Sequence, residues 1–346
     1  MDARAYLEDY SKKANQFLDK FFAQKEKEAA KISPVTGELV GAYREYMRGG
    51  KMARGALTVL GYRLAGEKDF EAILPVSVAI EIFHSFLLIH DDFIDEDKIR
   101  RGKLTIHEQY SQEKGPHFGA SMAIVLGDAG AFLGYELIVS SNFSEKRKIQ
   151  ALQALNNFLL KTAYGEILDI KFDFLEKIKW KDVLLVRTYK TAYYTFVMPL
   201  SIGAILGGAP KKELTAIANY GFPVGIAFQL RDDILGMFGE KEKTGKSAES
   251  DIRQGKKTLL FTKALELARP NEQEYLLRFY GKKNLTSKQI LKIKKTIKGL
   301  GALTYSQRMA KRLVEKGKKF VPQITDNPES RSTLYKMADY MIERES

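Results

Sequence analysis

Leu74-Pro75-Val76-Ser77-Val78-Ala79-Ile80-Glu81-Ile82-Phe83-His84-Ser85-Phe86-Leu87-Leu88-Ile89-His90-Asp91-Asp92-Phe93-Ile94-Asp95 is the stretch that decides the fold. Its apolar residues from Leu74 to Ile89 fall on most faces of a helix, as in a central buried helix. The end of the stretch is acidic. Helical spacing puts Asp91 and Asp95 on one face, one turn apart, with Asp92 beside them. These carboxylates fall toward a helix C-terminus, where the macrodipole disfavours each anion by about 0.3–1 kcal/mol. A bound cation reverses that penalty. An all-oxygen donor set in a chain without Cys suits Mg²⁺, a hard ion that takes one or two carboxylates, waters and substrate phosphates.

The same design recurs downstream. Leu214 to Leu235 is again helical and apolar, and it runs into Gln229-Leu230-Arg231-Asp232-Asp233-Ile234-Leu235-Gly236. Gly236 inside that pattern implies a bend or a helix end, because Gly disfavours helix by about 1 kcal/mol relative to Ala. Most other long segments also read at a helical period, and strand signals are scarce. Thr286-Ser287-Lys288-Gln289 forms a capping box opening a helix over 290–297, which Gly299 and Gly301 can stop. Asn327-Pro328 precedes a last helix over 329–344. Interruptions by Gly and Pro are short and none resembles a linker, so a single all-α domain of ten or more helices over 1–346 is expected.

Composition narrows the chemistry. The chain has 346 residues, 45% of them apolar, enough for a sizeable core. The absence of Cys excludes disulfides, zinc-thiolate sites and iron–sulfur clusters, and fits a reducing, cytoplasmic setting. His84, His90, His107 and His117 lack the i, i+4 spacing of a helical zinc site. The first residues lack the apolar core of a secretory signal, and no run approaches ~18 uninterrupted apolar residues. The net charge of +13 is concentrated between Gly281 and Phe320, where thirteen Lys and Arg face the single acid Glu315. That region reads first as the solvated basic face of a helical pair, and second as peripheral contact with an anionic membrane. Nucleic acid is not expected, because regularly interleaved aromatics are missing.

Cations recur beside the carboxylates. Arg100-Arg101-Gly102 follows the first Asp cluster, and guanidinium forks suit bidentate phosphate recognition. Gly49-Gly50-Lys51-Met52-Ala53-Arg54 is a glycine turn entering a helix start, a place suited to anions, with Lys51 and Arg54 on one face. Lys190-Thr191, Gly245-Lys246 and Gly255-Lys256-Lys257-Thr258 add more. Together they supply cations for two diphosphates beside two carboxylate clusters.

The ordered series Gly-Gly-Lys, Asp-Asp-x-x-Asp, Arg-Arg-Gly, Lys-Thr, Phe-Gln-x-x-Asp-Asp and Gly-Lys, from about Gly49 to Leu260, resembles the trans-isoprenyl diphosphate synthases of the polyprenyl synthetase family. The ending around Leu334-Tyr335-Lys336-Met337-Ala338-Asp339-Tyr340 resembles that family's too. The likeness implies an all-α isoprenoid synthase bundle with both Asp clusters facing a central cavity. It implies that Asp91 and Asp95, helped by Asp92, hold two Mg²⁺ on an allylic diphosphate while Asp232, next to Asp233, holds a third. Arg100, Lys190, Gln229 and Lys246 would contact that diphosphate, with Lys256 nearby and Thr191 beside the reacting carbon. Lys51, Arg54, His84 and Arg101 would bind isopentenyl diphosphate. The family pairs as homodimers, ionises the allylic carbon–oxygen bond and adds five carbons per turn.

This sequence departs from the family in places. Gly236 replaces an aspartate, Met52 an arginine, and Glu166 a frequent glutamine. Product length should depend on the side chains beneath the first cluster. An aromatic at Phe86 with the smaller Leu87 beside it resembles C20 synthases, so geranylgeranyl diphosphate is expected, with farnesyl or longer products as alternatives. Two rivals remain. A class I terpene cyclase would read Asp232, Gly236 and Glu240 as a metal triad, which Gly236 breaks. A non-catalytic regulatory subunit would have lost the first Asp motif or the basic residues, and here both are present.

Overall fold

A computed structural model describes residues 3–175, 178–239 and 249–343. The chain is helical almost throughout, with one two-stranded hairpin among the described residues. It forms two compact units, residues 1–153 with 199–209, and residues 154–198 with 210–346.

The first unit holds α1 (Ala3–Ala30), α2 (Pro34–Met47), α3 (Ala53–Leu64), α4 (Phe70–Ile94), the hairpin β1 (Ile99–Arg100) and β2 (Lys103–Leu104), α5 (Ile106–Lys114) and α6 (Pro116–Val139). The start of α7 (Glu145–Asp173) and most of α9 (Met198–Gly207) belong to it as well. α4 is the expected central helix. The Asp69 carboxylate caps it by accepting from the Ala72 N–H at 3.1 Å. Its buried residues Ile73, Val76, Val78, Ala79, Ile80, Ile82 and Phe83 point in every direction. By length and apolarity α4 and α6 could each cross a membrane, but 67% of the apolar window in α4 is buried inside the protein, as in a core helix. Glycines let neighbours approach. On α6, Gly127, Gly130 and Gly134 lie on one face, and a Cβ on them would meet His90, Tyr43 and Phe83. On α3 and α9, Gly61 and Gly203 let the two backbones touch, where added methyl groups would overpack at about 1–3 kcal/mol.

The second unit contains the rest of α7, α8 (Trp180–Val186), a π-helical run (Arg187–Val197), α10 (Lys211–Phe238), α11 (Ser250–Gln254), α12 (Leu259–Leu267), α13 (Pro270–Phe279), α14 (Ser287–Gly299), α15 (Ala302–Lys318), α16 (Val321–Ile324) and α17 (Pro328–Glu343). α10 is its axis. It buries Ile217, Tyr220, Val224, Leu230 and Ile234, and the Tyr220 hydroxyl donates to the Leu334 carbonyl of α17 at 2.8 Å. The capping box at Thr286 is present: Gln289 N–H donates to Thr286 Oγ1 at 3.3 Å, and Thr286 N–H donates to Gln289 Oε1 at 2.8 Å. α14 turns Ile290, Ile293 and Ile297 into a core with Met237, Ile252 and Leu276. Lys288, Lys292, Lys295 and Lys298 are left exposed, which is the solvated basic face; nothing supports a membrane contact there.

Of the bend or helix end expected at Gly236, the end is not found there: α10 continues to Phe238, with Gly239 as its cap. Tertiary contact outweighs the weak helix propensity of Gly, because the bare Cα faces a neighbouring carboxylate.

Candidate active site

In the first unit, Asp91, Asp92 and Asp95 finish α4, and the Asp95 N–H closes the last turn on the Asp91 carbonyl at 2.8 Å. The three differ in environment. Asp91 and Asp95 are half-buried, whereas Asp92 is fully buried. Asp92 Oδ2 accepts from the Tyr46 hydroxyl at 2.6 Å, and Oδ1 takes both Nε and Nη2 of Arg100. Burial pushes the Asp92 carboxyl above its usual range despite the arginine; burial and then the Asp92 charge push the Tyr46 hydroxyl up as well. Asp92 therefore holds Arg100, whose Nη2 also lies 3.7 Å from Asp91 and 3.8 Å from Asp97.

The hairpin places the second arginine. Its two-residue turn, Arg101-Gly102, has φ of 53° and 76°, the left-handed pair that a tight hairpin requires. Gly accepts this freely, while Arg101 is held there by its side chain. Arg101 Nη1 donates to the carbonyls of Tyr46 at 3.2 Å and Met47 at 3.1 Å, satisfying the C-terminus of α2. A Cβ on Gly50 would come within 3.1 Å of the same guanidinium, so the Gly-Gly-Lys turn wraps around it.

Loss of water, then the charges of Arg54, Arg101 and Arg100, hold the His84 ring well below its ordinary pKa. His84 is therefore neutral, offering one donor and one acceptor among three guanidinium groups. The start of α3 is not open to an anion as its glycine turn suggests: Glu81 Oε1, buried, accepts the Gly55 N–H at 2.6 Å. The polar side chains gathered here are Arg54, His84 and Arg101, with Lys51 exposed on the preceding turn.

In the second unit, Asp232 is half-buried and Asp233 is buried. Gln229 Nε2 donates to Asp233 Oδ1 at 3.0 Å, Thr191 Oγ1 donates to Gln229 Oε1 at 3.1 Å, and Arg187 Nη2 lies 3.4 Å from Asp233 Oδ1. Asp233 Oδ2 is buried with no hydrogen-bond partner among the described residues, and burial raises its carboxyl. Lys190 reaches Asp169 at 2.8 Å and Glu166 at 2.9 Å. Burial opposes ionisation of Asp169, but Lys190 and Arg187 outweigh it and keep the carboxyl low. Both Lys190 and Thr191 sit in the π-helical run, whose wide turns are a common device at functional sites. Gly165 and Gly225 allow α7 and α10 to touch its backbone. Lys256 is close enough for its charge to act on Asp233 and Asp169, whereas Lys246 and Glu240 fall outside the described residues.

The family description Polyprenyl synthetase matches residues 37–297. The chain belongs to this family. Geranylgeranyl pyrophosphate synthase of Geoglobus acetivorans is 31% identical over 340 residues, covering 98% of each chain. Geranylfarnesyl diphosphate synthase of Aeropyrum pernix is 31% identical, over 86% of this chain and 91% of the other. The crystal structure of geranylgeranyl pyrophosphate synthase from Corynebacterium glutamicum, complexed with isoprenyl diphosphate and magnesium, superposes with a TM-score of 0.92 at 29% identity, covering 99% of this chain and 100% of that one. The resemblance carried by the ordered motifs, and the all-α isoprenoid synthase fold it implied, are borne out.

In each unit of this polyprenyl synthetase the carboxylates are hard oxygen donors of the kind that suits Mg²⁺. In the first unit Asp91 and Asp95 are half-buried oxygen donors; in the second Asp232 is one, and Asp233 Oδ2 is a buried acceptor with no hydrogen-bond partner among the described residues. Among the described residues no group of three His, Asp or Glu stands close enough to hold a metal ion unaided. Sequence reading did not single out Tyr46, Glu81, Asp169 or Arg187. Glu81 alone left a signal, a lone carboxylate within an apolar helix three residues before His84.

Proposed function

We propose that this polyprenyl synthetase condenses isopentenyl diphosphate head to tail with allylic diphosphates, using three Mg²⁺ per site, and releases geranylgeranyl diphosphate. The observation that carries the reading is the convergence of Arg54, Arg101 and Arg100 on a neutral His84, one helix end away from Asp91 and Asp95. A cyclase acting on one diphosphate has no use for such a second basic pocket. A regulatory subunit has no use for the intact Asp cluster beside it.

Lys51, Arg54, His84 and Arg101 bind isopentenyl diphosphate; neutral His84 adds a hydrogen bond without adding charge repulsion among the arginines. Asp91 and Asp95 are the metal ligands of the first cluster, and Asp92 keeps Arg100 aimed at the allylic diphosphate. At the second cluster Asp232 is the ligand, with Lys190, Gln229, Lys246 and Lys256 as diphosphate contacts and Thr191 beside the reacting carbon. Bound Mg²⁺ supplies electrostatic stabilisation of the charge that develops on departing diphosphate. Lys190 reaches phosphate by giving up one of its two carboxylates, so its charge stays neutralised until substrate arrives.

Phe86 is half-buried with its ring edge-on to His90, 5.0 Å between centroids, and we assign it with Leu87 as the floor for the growing chain. Phe83 is fully buried against Tyr135, the place of a core residue. Val125, Phe132 and Val139 leave an exposed heptad-spaced stripe on α6, which supports pairing with a second copy of the chain. The Cys-free composition supports a cytoplasmic setting.

The test is to incubate the purified protein with Mg²⁺, labelled isopentenyl diphosphate and C5, C10 or C15 allylic diphosphates, and to resolve the products by length. A C20 product, abolished by EDTA and replaced by longer chains in Phe86→Ala, is expected. Absence of elongation from every starter would refute the reading.

A further inference from the structure

Lys190 faces more acid than one ammonium balances. Its Nζ lies 2.9 and 3.0 Å from the two carboxylate oxygens of Glu166 and 2.8 Å from Asp169 Oδ2. An ammonium has three N–H donors, so these three oxygens are enough to occupy all of them, and a phosphate has to displace one carboxylate. Glu166 and Asp169 stand three residues apart on one face of α7, which brings both to the same cation.

The backbone around Lys190 is pinned, so adjustment falls to side chains. A Cβ on Gly165 would come within 2.2 Å of the Lys190 amide nitrogen, which shows how closely α7 lies on the π-helical run at this point. On the next residue, Thr191 Oγ1 donates to Gln229 Oε1 at 3.1 Å. The two carboxylates differ in what holds them. Asp169 has the shorter side chain, and although burial opposes its charge, Lys190, Arg187 and Lys256 together keep its carboxyl low. It therefore stays charged and in place when the Lys190 side chain turns toward a phosphate. Glu166 has one more rotatable bond, which lets its carboxylate swing away while its backbone stays in α7.

We propose that Glu166 is a latch on Lys190: it holds the ammonium back in the empty site, lets go when the allylic diphosphate binds, and so weakens the hold on allylic diphosphates. Asp169 aims Lys190 and stays with it. The inference rests on the function proposed above and deepens it, making Glu166 a positioning residue that acts through Lys190. The departure at 166 then has a physical consequence, because a glutamine there offers Lys190 one neutral oxygen in place of a charged pair.

The experiment is steady-state kinetics of the full-length chain with Mg²⁺, isopentenyl diphosphate and the allylic diphosphate it elongates fastest, with melting temperature as a fold control. Glu166→Gln should lower KM for the allylic diphosphate about 10-fold while KM for isopentenyl diphosphate holds, since the change removes one negative charge from beside the bound anion. Asp169→Asn should do the reverse and raise KM for the allylic diphosphate. A simple loss of packing would not tighten binding, so the sign of the change separates a latch from a structural prop. If Glu166→Gln does not fold, Glu166→Ala decides, with the same lowering expected. An unchanged or raised KM for the allylic diphosphate in the folded Glu166 variant, or an equal lowering by Asp169→Asn, would overturn the inference. Absence of elongation by the unaltered chain would instead sink the proposed function itself.

Discussion

The two Asp clusters follow one plan with different tightness. In each, the first aspartate (Asp91, Asp232) is half-buried, and the second (Asp92, Asp233) is buried, raised by burial and faced by an arginine. At the end of α4 the buried member is fully matched, with Tyr46 on one oxygen and two nitrogens of Arg100 on the other. On α10 the match is partial: Arg187 stands 3.4 Å away and Oδ2 has no partner among the described residues. On the proposed function, each acidic pair is two roles side by side, one carboxylate for the cation and one for a neighbouring arginine. The buried member of the first cluster has both oxygens matched, whereas the second keeps one acceptor without a partner among the described residues.

The sharpest way to break the comparison is to remove each buried carboxylate. Asp92→Ala leaves the partly buried Arg100 without its main partner and should destabilise the protein by up to about 3–5 kcal/mol, read by urea unfolding. Asp233→Asn should behave oppositely. Because burial raises the Asp233 carboxyl above its ordinary 3.8, the folded chain binds that proton more tightly than the unfolded one. Its stabilising contribution is present below 3.8 and lost as pH rises through the raised value. In metal-free buffer Asp233→Asn should therefore melt above the unaltered chain at pH 7, with the difference closing as the pH falls toward 4. A destabilised Asp233→Asn would erase the contrast.

A smaller effect sharpens it. Tyr46→Phe deletes one hydrogen bond to Asp92 and leaves Arg100 in place, so KM for the allylic diphosphate should rise about 10-fold while KM for isopentenyl diphosphate holds. Equal changes in both would mean that Tyr46 supports the whole α2 end rather than Arg100.

Much of this was legible in the chain. Periodicity marked α4 and α10, and local rules marked the Thr286 cap and the final helix behind Asn327-Pro328. What was not legible depends on contacts distant in sequence. Adjacent Asp91 and Asp92 look alike until Tyr46, 46 positions earlier, takes the second. The 99–104 hairpin is too short to show alternation, and the π-helical run at 187–197 differs from α-helix only in register. Gly236 misled because propensity is blind to what the missing side chain makes room for.

The most direct test of this division of labour is Mn²⁺ binding, with inorganic diphosphate present, to Asp91→Asn and Asp92→Asn compared side by side. Loss of bound Mn²⁺ in Asp91→Asn with full occupancy in a folded Asp92→Asn is the expected result; equal loss of metal in both would show that the buried carboxylate is itself a ligand and contradict the account.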